Sequence, residues 1–131
     1  MKKVYFLSII TITLFCSCEG VSDFLLGIHR RDIKYEVTGT ASSANITISN
    51  EYGGTSQINS VSLPWNKKIS IELYEDPPLN TFYAYVLAQN TGTTGNIIVR
   101  IYVNGDLFQS ASSDAPYGVA TAFGNVKYSY Y

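Results

Sequence analysis

Apolar and polar residues alternate with a period of two along most of this chain, the mark of strands with one covered face. The clearest run is Thr81–Ser112. Phe82, Ala84, Val86 and Ala88 share one side of a first segment, and Ile97, Val99, Ile101 and Val103 share one side of a second. Arg100 and Tyr102 fall on the opposite side of that second segment. Asn104-Gly105, between Val103 and Asp106, predicts a type I′ turn, because both central residues of that turn need positive φ. The run therefore reads as three consecutive antiparallel strands joined by two turns. Its apolar face needs a second layer to cover it.

The rest of the chain offers that layer. Ile33, Tyr35 and Val37 alternate with Lys34, Glu36 and Thr38, and Ala44, Ile46 and Ile48 alternate with Asn45, Thr47 and Ser49. Asn50 to Gly54 predicts a turn, and Ile58 to Leu63 a third strand with Val61 and Leu63 inward. Pro64 has no amide hydrogen to donate, so it marks the end of that strand. Trp65 is the largest core candidate, expected between the layers beside Val99 and Ile101. Ile69, Ile71 and Leu73 form a fourth strand, and Asp76-Pro77-Pro78 breaks the pattern. After a loop at Ser113–Gly118 comes a last short strand, Val119–Phe123, and an aromatic tail, Asn125–Tyr131. About seven or eight short strands with regularly spaced turns predict an all-β antiparallel sandwich.

Composition agrees with this and narrows the partners. With 131 residues, 46% of them hydrophobic, the chain is long enough for one domain with a sizeable core. Eleven tyrosines beside one tryptophan and one histidine suit pleated, half-buried surfaces. Nine basic against ten acidic residues give no field for nucleic acid or an anionic membrane surface.

The first residues, MKKVYFLSIITITLFCSCEG, read as an address. The apolar run Val4–Phe15 falls short of the roughly 20 residues that a spanning helix needs, and fits a secretory h-region. A disulfide between Cys16 and Cys18 would close a strained ring around one residue and clamp no loop. Cys-Ser-Cys with the lone His29 makes no metal-ligand set. The segment resembles a bacterial lipoprotein signal peptide of the looser Bacteroides type, with Ser17-Cys18 as the cleavage junction. Phe15 and Cys16 depart from the usual leucine and small residue. The resemblance implies a signal peptide at 1–17 and lipid on Cys18, hence a membrane-anchored protein of the cell envelope, periplasmic or surface-exposed. Residues 18–32 then form a tether, in which Phe24–Ile28 make one helical turn or lie on the domain. His29-Arg30-Arg31, diluted by Asp32, reads as a solvated linker. The sandwich domain spans 33–131.

Five further motifs, YEVTGT (Tyr35–Thr40), SLPWNK (Ser62–Lys67), AQN (Ala88–Asn90), RIYVNG (Arg100–Gly105) and ATAFG (Ala120–Gly124), occur in that order. Together they resemble the extracytoplasmic domain of the MmpS family, small mycobacterial membrane proteins described as transport accessory proteins. The resemblance implies an immunoglobulin-like β-sandwich, no enzymatic activity, and work beside a large export pump. Mycobacterial members carry an uncleaved membrane helix where this chain carries its lipobox.

The residues themselves predict no catalysis, no metal and no other cofactor. Glu75 and Asp76 are adjacent and precede Pro77, which suits a turn better than a separated carboxylate pair. The only histidine is assigned to the tether, which cannot hold catalytic geometry. Gly92 and Gly95 in NTGTTG lead into no helix, so they form no phosphate loop. What remains is binding. Tyr83 and Tyr85, opposite Phe82 and Ala84, and Tyr102 of the next strand are the candidate surface for a sugar or peptide, offering rigid rings with polar tips. Cross-strand pairing of the rings is the plain alternative. The expectation is a non-catalytic, lipid-anchored binding or accessory module with an envelope protein as partner. The other reading is an adhesion or carbohydrate- or peptide-binding lipoprotein.

Overall fold

Alternation along the chain becomes eight strands: β1 (Ile28–Thr38), β2 (Ser43–Ser49), β3 (Thr55–Ser62), β4 (Trp65–Tyr74), β5 (Thr81–Asn90), β6 (Ile97–Val103), β7 (Asp106–Ser113) and β8 (Val119–Lys127). The structure, a computed structural model, describes residues 27–77 and 79–128. The expected signal peptide, Cys16, Cys18 and most of the tether lie outside the described residues. Two four-stranded antiparallel sheets result, a first in the order β4-β1-β6-β7 and a second in the order β3-β2-β5-β8. They face each other as the layers of an all-β sandwich. None of the described residues forms a helix long and apolar enough to cross a membrane.

The core is unequal in a useful way. The first sheet supplies bulky side chains, among them Ile33, Tyr35, Ile71, Leu73 and Ile101. The second supplies Ile46, Ile48 and Val86 but also Ala44, Ala84, Ala88, Ala120 and Ala122, whose small volumes make room for the opposing layer. Tyr35 spans the gap. Its hydroxyl lies 2.6 Å from Ser49 Oγ, and that oxygen also accepts the Tyr85 N–H at 3.0 Å. Burial pushes the Tyr35 hydroxyl above its usual pKa near 10, while its bonds to Ser49 and the Tyr85 backbone pull the other way. Among the described residues, no buried side-chain nitrogen or oxygen lacks a hydrogen-bond partner.

Several expectations change. The run Thr81–Ser112 is not one meander: β5 pairs with β2 and β8, whereas β6 pairs with β1 and β7. The connection from Asn90 to Ile97 crosses between layers. Gly95, at φ +87°, fits where a Cβ would stand 2.6 Å from the Ala41 nitrogen. Asn96 Oδ1 accepts the Thr40 N–H at 2.7 Å, tying this loop to the end of β1. The Asn104-Gly105 turn does form, with φ of 50° and 86°. Strand β1 starts at Ile28 rather than Ile33, because Ile28–Asp32 pair with Ser70–Tyr74 of β4. His29 is therefore held in a strand, its ring edge-on to Tyr128 at 4.6 Å. Trp65 opens β4 opposite Val37, half-buried at the rim of the core, and β1 separates it from Val99. Strand β8 runs on through Asn125 to Lys127, so the aromatic tail begins later than expected.

Candidate functional site

The two outer faces of the sandwich differ in charge. Strands of the first sheet carry ten Lys, Arg, Asp or Glu residues, and strands of the second carry one, Lys127 at the end of β8. On the first sheet five of the ten, Arg30, Lys34, Glu36, Glu72 and Arg100, pair with one another. Arg100 Nη1 lies 3.1 Å from Glu36 Oε1 and donates to Thr38 Oγ1 at 3.2 Å. Lys34 Nζ is 3.4 Å from Glu36 Oε2, and Arg30 Nε is 3.5 Å from Glu72 Oε1. The Lys34 ammonium also sits 5.2 Å from the centre of the Tyr102 ring, a cation–π contact.

The outer face of the second sheet is aromatic and carries one strand charge, Lys127 at the end of β8. Alternation along β5 turns Tyr83 and Tyr85 outward, because Ala84 and Val86 are fully buried. Along β8, Ala120 and Ala122 point inward, so Phe123 points outward, directly opposite Tyr85. The ring of Tyr83 lies nearly parallel to that of Tyr85, 6.4 Å between centres and 22° between planes. Phe123 lies 6.1 Å from Tyr83 at 38°. Tyr83 is 51% exposed and Phe123 55%. A ledge of three rings results, Tyr83 and Phe123 exposed and Tyr85 half-buried, with Asn125 of β8 opposite Tyr83 and Thr47 of β2 lining the same groove as Tyr83 and Tyr85.

The ledge is backed by rigid groups. The Tyr85 amide is held by Ser49, which is bonded to Tyr35 in the core. Between these rings and the β2–β3 turn runs an open groove of about 490 Å³, with Thr47 and Ser49 on one side and Gly53 and Gly54 beyond. Asn50 shapes that turn, its Oδ1 accepting the Tyr52 N–H at 3.1 Å and the Gly54 N–H at 3.0 Å.

Of the residues expected to form one surface, Tyr83 and Tyr85 come together. Tyr102 does not join them: it lies on the outer face of the opposite sheet, under Lys34. The cause is the crossing loop before Ile97, which moves β6 into the other layer. Phe123 is the functional candidate that sequence reasoning missed. Its signal was present in the alternation Ala120, Ala122 against Phe123. Among the described residues, no three His, Cys, Asp or Glu side chains converge as a metal site. The arrangement suits holding a ligand against flat apolar rings.

No curated protein is significantly similar to the chain. The family model described as Mycobacterium membrane protein matches residues 22–123, from the segment before β1 through Phe123 of β8. That span contains all five motifs apart from the final Gly124, and it covers most of the chain. The chain belongs to this MmpS-like family of mycobacterial membrane proteins.

Proposed function

We propose that the mature chain is a non-catalytic, lipid-anchored module of the cell envelope, which presents the outer face of the second sheet to a partner. The observation that carries this reading is the contrast in charge between the two faces. One face carries ten strand charges, five of them paired with one another, and the other carries Lys127 alone and leaves Tyr83 and Phe123 more than half in water. Exposed apolar patches on a folded domain commonly mark interaction sites. Membership in a membrane-protein family, together with the lipobox at Ser17-Cys18, supports anchoring. A role as transport accessory beside a membrane complex is the form of this function that the family suggests.

The ledge lies toward the end of the domain at which β1 begins, the end to which an anchor on Cys18 would be joined. Residues 19–27 separate Cys18 from β1 and reach at most about 30 Å when extended. The start of β1, the start of β5 and the β2–β3 turn share that pole, so a lipid on Cys18 would put Tyr83 in the membrane-side half of the domain. A neighbour fixed in the same membrane is thereby within reach.

Replacing Cys18 with alanine is expected to move the protein from the membrane to the soluble fraction. Persistence of the variant in carbonate-washed membranes contradicts the anchor. Capture of the full-length protein from crosslinked membranes, read by mass spectrometry, then tests the face. The same partner should be recovered repeatedly with wild type and with a Lys68→Ser control, and lost with Tyr83→Ser/Phe123→Ser. Equal recovery with both variants removes the second sheet from the proposal.

A further inference from the structure

We infer that the ledge of Tyr83, Tyr85 and Phe123 binds an uncharged glycan, with sugar rings lying across the aromatic rings. This rests on the reading of the second sheet as the working surface and names what it holds. A pyranose offers an apolar C–H face and an equatorial belt of hydroxyls. Tyr83 and Phe123 offer the first, being more than half exposed with ring centres 6.1 Å apart, and Tyr85 stacks beside Tyr83 at 6.4 Å. Asn125, opposite Tyr83, and Thr47, in the same groove as Tyr85, match the second, since amides and hydroxyls both donate and accept, as sugar hydroxyls do.

Charge selects among ligands. Strands β2, β3 and β5 carry no Lys, Arg, Asp or Glu, and β8 carries Lys127 alone. An acidic polysaccharide, a nucleic acid or a phosphorylated headgroup finds a single counter-charge, Lys127 at the end of β8, beyond Asn125. A protein hot spot, by contrast, is usually a fully desolvated pocket rich in Trp, Tyr and Arg. Here the rings stand on a flat sheet and the face has no arginine. The groove of about 490 Å³ beside Tyr83 and Tyr85 continues the ledge and falls in the roughly 300–1,000 Å³ range of small-molecule sites. It gives the chain of sugars a second place to rest.

The test uses the full-length lipidated protein in a detergent without a sugar headgroup, titrated calorimetrically with cello-, manno-, malto- and xylohexaose and with hexagalacturonate. At least one neutral hexasaccharide should saturate the protein, and hexagalacturonate should bind more weakly. Tyr83→Ala and Phe123→Ala should each weaken binding roughly five- to tenfold, the worth of one aromatic contact. Tyr83→Trp should strengthen it, and Tyr102→Ala on the other sheet should leave it unchanged. Near-ultraviolet circular dichroism confirms that each variant is folded. The inference is overturned if no neutral hexasaccharide binds, if the acidic one binds as tightly, or if the ring variants bind like wild type. Should sugars fail while Tyr83→Ser/Phe123→Ser still loses its captured membrane partner, the glycan is wrong and the binding face stands. If capture is also indifferent to that face, both fall.

Discussion

The two outer faces of this sandwich are built on one core yet spend their side chains differently. On the first sheet, Glu36 receives both Lys34 and Arg100, and Lys34 covers Tyr102. A partner meeting the centre of that face would have to break or outcompete these ion pairs. On the second sheet, Tyr83 and Phe123 are more than half exposed, and Lys127 is the one charge on its strands. The comparison teaches that tyrosine on an outward strand position is not by itself a binding signal. Tyr102 and Tyr83 have the same residue type and the same orientation relative to their sheets. They differ in what stands beside them.

If the faces are independent outlets of a shared core, the largest effects belong to the seam between the sheets. At Gly124 of β8 an added Cβ would lie 2.7 Å from Phe108 Cε1 and 2.9 Å from Cζ. Gly124→Val should cost about 1–3 kcal/mol in urea denaturation, the usual penalty of overpacking. A neutral result would mean that Phe108 swings away freely and that the seam is loose.

Next comes the Tyr35 strut, where Tyr35→Phe removes one buried hydrogen bond and should cost about 1 kcal/mol. Its pH dependence is the sharper reading. Burial raises the folded pKa, so above pH about 10 the unfolded chain gives up a proton that folded Tyr35 keeps. Its contribution is therefore whole below pH about 10 and declines as pH rises toward the folded value. Tyr35→Phe should flatten that alkaline decline, and an unchanged slope would place its cause elsewhere.

On the charged face, Arg100→Met severs the contacts with Glu36 and Thr38, whose bridge is partly screened by solvent. The loss should be about 0.5–1 kcal/mol in low salt and smaller in 1 M salt. Smallest of all, Tyr83→Ser and Phe123→Ser should each stay within about 0.5 kcal/mol of wild type, as exposed substitutions do. A loss above about 2 kcal/mol at either ring would mark it as structural and erase the distinction between the faces.

Local features of this fold were legible in the sequence, and partnerships were not. The Asn104-Gly105 turn is decided by two residues, and it formed as expected. Alternation told which side of β1, β2, β4, β5 and β6 is buried, from Ile33 to Val99 and Ile101, because it depends only on the pleat. It could not say which strand lies beside which. Thr91–Asn96 looked like a hairpin, but its path depends on Gly95 and Asn96 meeting Thr40 and Ala41, more than fifty residues away in sequence. That one crossing separated Tyr102 from Tyr83. The start of β1 was hidden for a similar reason, since His29-Arg30-Arg31 has no alternation and is a strand only because β4 pairs with it. The candidate face was half visible: Tyr83 and Tyr85 were read from their alternation. Phe123 and the missing charge of β2, β3 and β5 mattered only once those strands were known to share a sheet.

The central claim, that the second sheet is the occupied face, is tested most directly by hydroxyl-radical labelling of the protein in the intact envelope and again after solubilisation. Tyr102 serves as the internal reference on the opposite face. The account predicts that Tyr83 and Phe123 are shielded in the envelope and become reactive on solubilisation, while Tyr102 labels equally in both states. Shielding of Tyr102 instead, or equal labelling of Tyr83 and Phe123 in both states, would contradict it.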